Sequence, residues 1–65
     1  MEYIKIVVNS SGRGDELFVL FEKHTNKVIS INQYHSMIDR TESITQSNHS
    51  YNSLLNTARK ILDGK

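Results

Sequence analysis

The stretch Leu17-Phe18-Val19-Leu20-Phe21 decides the fold of this 65-residue chain. Successive side chains of a β-strand point to opposite faces of its sheet, so five consecutive apolar residues make a strand that is apolar on both faces. A chain of this length has material for one helix, which covers one of these faces. We therefore expect the other face to meet a second copy, a partner or a ligand.

One more strand is predicted on each side of this stretch. Residues Tyr3 to Val8 are rich in β-branched side chains, and the pattern resumes from Val28 to Ile31 or Gln33 after a polar break at 24–27. The second strand runs from Glu16 to Lys23, so both connections are short. Short connections favour an antiparallel meander.

The C-terminal segment has the clearest periodicity. Its apolar residues form one stripe of an α-helix, namely Tyr51, Leu54, Leu55, Ala58, Ile61 and Leu62. Ser47, Asn48 or Ser50 can supply an N-cap oxygen, and Gly64 suits the position after the helix. We predict a helix from about residue 49 to 63 that packs on the sheet.

Residues 34–46 have two interpretations. Tyr34, Met37, Ile38 and Thr41 have the spacing of one or two helical turns. Alternatively, the chain continues as a strand to Ile38, turns at 39–42 and adds a short strand at 43–45. Both interpretations stay open at this point.

The face that the helix covers depends on the register of the second and third strands. A two- or four-residue loop around Thr25 and Asn26 pairs the even-numbered residues of the second strand with the odd-numbered residues of the third. A three-residue loop exchanges the two faces. We favour the first arrangement, which places Phe18 and Leu20 on the helix side. The predicted core is then Ile4, Ile6, Val8, Phe18, Leu20, Ile29, Ile31, Leu54, Leu55, Ala58, Ile61 and Leu62.

The predicted fold is α+β, in a single small domain of residues 1–65. It is a three-stranded antiparallel meander, with room for a fourth strand, and one C-terminal α-helix packed on one face. A domain of this size buries only about 60% of the surface that its unfolded chain exposes, so it is marginally stable alone. We therefore expect a homodimer or a protein partner on the uncovered face, through Leu17, Val19, Phe21, Tyr3 and Val7. The alternative is that Met37, Ile38 and Ile44 fold over that face.

Composition narrows the classes of function. The formal net charge is +1 with acids and bases interspersed, whereas a dedicated nucleic-acid binder shows a stronger basic bias. The chain has no cysteine, which excludes disulfides and thiolate metal sites. Glu2 stands where a signal peptide carries basic charge, and the apolar run 4–8 is too short for a signal or a membrane span. We predict a soluble, cytoplasmic protein with no membrane association.

No motif points to catalysis or metal binding. The three histidines, His24, His35 and His49, lack the close pairing of a zinc site. His35 and Asp39 would share a helical face if their segment were helical, but no nucleophile can be placed beside them. We predict that the chain is not an enzyme and has no cofactor and no metal.

The loop at residues 10–15 has a structural and a functional interpretation. Its glycines and Arg13 can form a backbone nest for a phosphate, but the loop lacks the spacing of a phosphate-binding loop and no helix follows it. Arg13-Gly14-Asp15 also matches the integrin-recognition tripeptide. The favoured interpretation is a hairpin loop that needs positive φ at a glycine.

A candidate basic patch comprises Lys5, Arg13, Lys23 and Lys27, with Tyr3 on the same face as Lys5. A three-stranded sheet backed by a C-terminal helix resembles, in topology alone, the DNA-binding domains of plant ethylene-response factors and of some phage integrases. The tryptophan and glycine positions and the strongly basic strands of those families are not found here. The resemblance implies a nucleic-acid-binding regulator that uses the outer sheet face, which is our alternative prediction.

The favoured prediction is a non-catalytic protein-binding module. Short chains that are rich in Ser and Asn and lack cysteine look like accessory or inhibitor proteins of phages and mobile elements. We expect a small homodimer of this kind that acts by binding another protein.

Overall fold

The computed structural model describes residues 2–64; Met1 and Lys65, the ends of the predicted domain, lie outside them. The elements in chain order are β1 (Tyr3–Ser10), β2 (Glu16–Glu22), β3 (Val28–His35), β4 (Arg40–Ile44) and α1 (Tyr51–Asp63). The strands form one antiparallel sheet in the order β1-β2-β3-β4, and α1 packs against it. The predicted α+β meander with one C-terminal helix is confirmed, and the fourth strand is present.

The segment that had two interpretations forms a hairpin. β3 continues to His35, a four-residue turn occupies 36–39, and β4 pairs back with β3 from Arg40. Asp39 closes this turn with a φ of 48°, a left-handed conformation that Asp tolerates better than most residues. The extended interpretation is therefore correct, with the turn three residues earlier than expected, and β4 extends the sheet without covering its second face.

The core lies between the sheet and α1. Five side chains are at most 1% exposed: Ile6, Val19, Phe21, Ile31 and Ala58. Partly buried side chains pack around them: Ile4, Val8, Val28, Ile44, Tyr51, Leu54, Leu55 and Leu62. The helix contacts β1 most extensively, then β2 and β3.

A β-bulge decides which face of β3 enters this core. Glu22 N–H donates to the Lys27 carbonyl at 2.8 Å, so the connecting loop has four residues, one of the two lengths that were predicted. However, the register then shifts between Leu20 and Phe21, because Phe21 pairs with Val28 whereas Leu20 pairs with Ser30. Ile29 is the extra residue. A one-residue shift exchanges the two faces of a strand, so the rest of β3 presents its other face to the helix.

Four of the predicted core residues and the predicted binding face are wrong. Val19 and Phe21, which were assigned to the uncovered face, are completely buried on the helix side. Phe18 and Leu20 point to the other face and do not belong to the core. Ile29 and Ile61, also expected inside, are 44% and 37% exposed. A second bulge lies between Val7 and Asn9 in β1, and Val8 packs against the core as Ile4 does.

The ends of α1 use the backbone more than the predicted side-chain caps. Tyr51 N–H donates to the carbonyl of Asn48 at 3.0 Å, and Ser50 N–H donates to the side-chain Oδ1 of Asn48 at 2.8 Å. Gly64 N–H donates to the carbonyls of Lys60 and Ile61 at the other end. Within residues 2–64, no helix has the length and apolar character that a membrane span requires.

Candidate interaction surfaces

The outer face is the side of the sheet opposite α1. Cross-strand pairing aligns its side chains in rows from β1 to β4, because Val7 pairs with Phe18, Phe18 with Asn32 and Asn32 with Ser43. A second row contains Lys5, Leu20 and Ser30, and Tyr3 lies at the end of β1. In the part of the chain that the structure describes, no element packs on this face.

The β1–β2 half of the outer face is apolar. Tyr3 is 61% exposed and Val7 is 40% exposed, while Phe18 and Leu20 are half-buried. The Nζ of Lys5 lies 4.6 Å from the centre of the Phe18 ring and 2.9 Å from Oε1 of Glu16. The ammonium group of Lys5 therefore lies over the Phe18 ring and is paired with a carboxylate. Tyr3 and Val7, two of the predicted interface residues, are on this uncovered surface.

The β3–β4 half of the outer face is polar and internally bonded. Asn32 is only 8% exposed, and its Nδ2 donates to Ser30 Oγ at 2.8 Å. Ser43 Oγ donates to Asn32 Oδ1 at 3.4 Å. Because these groups satisfy one another, this half offers few free donors or acceptors to a ligand, and the apolar half is the better candidate for contact.

The sheet edges carry features that oppose strand addition. β1 has a lysine in its middle and a bulge at Val8, and β4 has only five residues, with Arg40 and Glu42 among them. Charged side chains, bulges and short length are the usual means by which edge strands avoid pairing with another chain. A contact through the outer face is therefore favoured over one through an edge.

A second exposed apolar feature is the β3–β4 turn at residues 36–39, here called the hairpin tip. Met37 is 84% exposed and Ile38 is 62% exposed, the highest values among the large apolar side chains of residues 2–64. The hydroxyl of Tyr34 donates to Asp39 Oδ1 at 2.7 Å, and this hydrogen bond raises the pKa of Tyr34 above its ordinary value. The tip is thus fastened to β3.

Asp15 fastens the hairpin tip to the β1–β2 loop. Its Oδ1 accepts two hydrogen bonds of 2.8 Å, from the backbone N–H and the hydroxyl of Ser36, and these bonds hold the pKa of Asp15 below its ordinary value. Within the loop, Ser11 Oγ accepts from the N–H groups of Arg13 and Asp15 at 3.3 Å. Gly14 has a φ of 96°, as the favoured hairpin interpretation requires. The amides of Arg13 and Asp15 and the carboxylate of Asp15 are therefore occupied by the fold itself.

The candidate basic residues do not form one patch. Arg13 lies in the β1–β2 loop, whereas Lys23 and Lys27 lie at the opposite end of the sheet, about 20 Å away at ~3.3 Å per residue along β2. Lys5 pairs with Glu16 at 2.9 Å, Arg13 with Asp15 at 3.6 Å and Lys23 with Glu2 at 3.2 Å. These carboxylates offset the positive charge of three of the four candidate residues, which weakens the attraction to a polyanion.

The structure also keeps the candidate chemical groups apart. His35 Nε2 is 3.5 Å from Glu42, whereas the carboxylate of Asp39 accepts from Tyr34. His24 lies in the β2–β3 turn and His49 precedes α1. Among residues 2–64, no three His, Asp or Glu side chains are close enough to hold a metal ion.

A cavity of about 220 Å³ lies at one end of the helix side of the sheet. Leu17, the last of the predicted interface residues, is half-buried there. The other lining residues are polar, namely Asn9, Ser10, Ser11, Asp15, Glu16 and Gln33.

Comparison with families of known proteins, with characterised proteins and with solved structures finds no match to this chain.

Four residues of these surfaces escaped sequence reasoning: Phe18, Leu20, Met37 and Ile38. The first two were recognised as apolar but assigned to the wrong face, because no residue pattern signals the bulge at Ile29. Met37 and Ile38 were considered as cover for the uncovered face. A strand ending at His35 with Asp39 as the left-handed residue would have placed them at a turn.

Proposed function

We propose that this chain is a non-catalytic protein-binding module whose outer face associates with a second copy. The single observation that carries the proposal is the apolar half of the outer face. Tyr3 and Val7 are exposed beside half-buried Phe18 and Leu20, on a sheet whose other face is closed by α1. Exposed apolar side chains that form one contiguous group are typical of contact surfaces.

A second copy suits this face because both partners then present a sheet. Sheets pack face to face at about 10 Å with their strands within roughly 30° of one another. Lys5 and Glu16 form an ion pair with no net charge, so two outer faces do not repel each other. A two-fold arrangement buries the same group on both copies and closes the assembly.

The size of the outer face sets the strength of the association. Four strands at ~4.8 Å spacing and about seven residues at ~3.3 Å give a face of ~19 by 23 Å, or ~440 Å² per copy. Stable interfaces bury ~800 Å² per partner. The ion pair of Lys5 also opposes complete desolvation. We therefore expect a reversible dimer that forms at high concentration, not an obligate one.

The test is sedimentation velocity or light scattering over a concentration series. Val7→Glu places a charge on the outer face without changing the backbone pairing of β1. It should weaken association at least ~10-fold. Asn56→Glu, on an exposed position of α1, is the matched control and should leave association unchanged. A natural chain that stays monomeric throughout, or equal association of both variants, would contradict the proposal.

Under this proposal the biological role is that of an accessory or inhibitor protein, of the kind that phages and mobile elements encode. The support is compositional: a short chain, rich in Ser and Asn, without cysteine. Production of the chain in a bacterial host, with Val7→Glu as the comparison, tests this role through a growth or reporter phenotype. An identical response to an inert protein of the same size would contradict it.

A further inference from the structure

The ring of Phe18 on the outer face is shielded by a charged side chain. The Nζ of Lys5 lies 4.6 Å from the centre of the ring and donates to Oε1 of Glu16 at 2.9 Å. Lys5 pairs with Leu20 across the strands. Phe18 and Glu16 lie on the same face of β2, two and four residues before Leu20. The lysine therefore reaches across Phe18 to its carboxylate, and we call Lys5 and Glu16 together the lid.

The lid is closed by two weak contacts. The side chains of Lys5 and Glu16 are 47% and 36% exposed, and an ion pair or a cation–π contact at an exposed position contributes little. Together the two contacts favour the closed lid about 3- to 30-fold. Rotamers of exposed side chains interchange within nanoseconds. The lid is therefore closed in most molecules and open in a minor fraction at any moment.

The position of the two charges allows the lid to open without burying either of them. β1 is an edge strand of the sheet, so the four-carbon stem of Lys5 can turn past the edge into water. Glu16 is the first residue of β2 and lies at the end of the outer face. A second sheet that covered the closed lid would desolvate both charges. When the lid opens first, both charges stay hydrated at the polar rim of the contact, and Phe18 joins its apolar centre.

We propose that the lid regulates self-association: it is closed over Phe18 in the monomer and opens toward the edge of the sheet when a second copy binds. This inference rests on the proposed self-association of the outer face. Because only the open form presents the ring, the apparent affinity is the intrinsic affinity reduced by the fraction of molecules that are open. Salt screens exposed charges, with a Debye length of ~8 Å at ~0.15 M and ~3 Å at ~1 M. Ionic strength therefore loosens the lid and promotes association.

The effect on affinity is measured by sedimentation velocity over a concentration series. Lys5→Ser/Glu16→Gln, the lid variant, removes the lid without adding apolar area or changing the net charge, and its dimer should be about 3- to 30-fold tighter. Lys23→Ser/Glu2→Gln is the matched control, because the same substitutions remove another exposed ion pair, of 3.2 Å. Its affinity should equal that of the natural chain. In ~1 M NaCl the affinities of the natural chain and the lid variant should converge, since general effects of salt act on both.

The position of the lid is read directly by NMR. At a concentration where the chain is monomeric, the ε-methylene protons of Lys5 should show nuclear Overhauser effects to the ring protons of Phe18 and an upfield ring-current shift. Phe18→Leu should remove this shift. As the concentration rises, the Overhauser effects should weaken in proportion to the fraction of dimer, because the lid opens toward the edge of the sheet.

The outcomes distinguish the lid from the self-association on which it rests. For a natural chain that associates, the lid is overturned if the contact of Lys5 with Phe18 is absent in the monomer or persists in the dimer. It is also overturned if the lid variant dimerises no more tightly than the natural chain or the control variant, or if salt does not bring the affinities together. If the natural chain stays monomeric while the lid variant associates, the proposed function is contradicted as stated and the lid is supported. If neither associates, both proposals fail.

Discussion

Phe18 and Phe21 provide a matched test of the face assignment. They are the same residue type and lie three positions apart in β2, so the alternation of the strand places them on opposite sides of the sheet, with Phe21 in the core. Phe21 is completely buried, and the guanidinium of Arg59 lies 5.6 Å from the centre of its ring. Phe18 is half-buried beneath Lys5. Truncation of the two rings should therefore affect stability very differently.

The expected magnitudes follow from burial. Phe21→Ala removes a core side chain and leaves a cavity, which costs about 3–5 kcal/mol. Phe18→Ala loses partial burial and an exposed cation–π contact, together about 1–2 kcal/mol. A chain of this length has a total free energy of unfolding of about 3–10 kcal/mol at ~0.05–0.15 kcal/mol per residue. Phe21→Ala should accordingly be close to unfolded at 25 °C, whereas Phe18→Ala should fold.

The assay is urea and thermal unfolding followed by circular dichroism, at a protein concentration below that of self-association. Phe21→Leu, expected to cost about 1–2 kcal/mol, provides a folded reference if Phe21→Ala does not fold. A difference of ~2 kcal/mol between the two alanine variants corresponds to a Tm difference of about 8–16 °C. If Phe18→Ala is destabilised as much as Phe21→Ala or more, the face assignment is wrong, and the original register prediction is restored.

Four further perturbations test other parts of the structure. Gly14→Ala should destabilise the fold by about 1 kcal/mol because the φ of Gly14 is 96°. Gly12→Ala is the control in the same unfolding assay and should be neutral, because the added Cβ meets no atom within 4 Å. The folded-state pKa of Asp15 is below the ordinary 3.8, so its carboxylate stabilises the fold above that value, and this stabilisation is lost as pH falls through the folded pKa. When the free energy of unfolding is measured against pH, Asp15→Asn should lack this loss of stability at acid pH. The double variant Lys5→Met/Glu16→Gln should strengthen self-association in sedimentation experiments, since the ion pair of the outer face no longer has to be desolvated or opened. Deletion of Ile29 removes the bulge yet leaves Phe21 and the other core residues on the helix side. The free energy of unfolding of the shortened chain should therefore be within about 1 kcal/mol of that of the natural chain. An unfolded deletion variant would contradict the bulge as described.

The elements of the fold were predictable because each one rests on a local pattern. The helical stripe that ends at Leu62 and the alternation in β1 depend on neighbouring residues alone. The bulge at Ile29 does not, because it is set by how the third strand meets the helix. The regular register would have put Ser30 and Asn32 with Val28 against α1, whereas the bulge brings Ile31 there instead. Burial of an isoleucine in place of two polar side chains outweighs the irregularity in the ladder, and that comparison needs the tertiary structure.

The same bulge explains why the second face is apolar on one half only. Since β2 is apolar at every position from 17 to 21, some apolar side chains must face away from a single helix whichever register is adopted. The observed register exposes Phe18 and Leu20 but turns Ser30 and Asn32 outward beside them. Lys5 then covers part of Phe18. The apolar area left for a partner is therefore small, which is why we propose a weak dimer and not the obligate contact that the unbroken apolar run suggests.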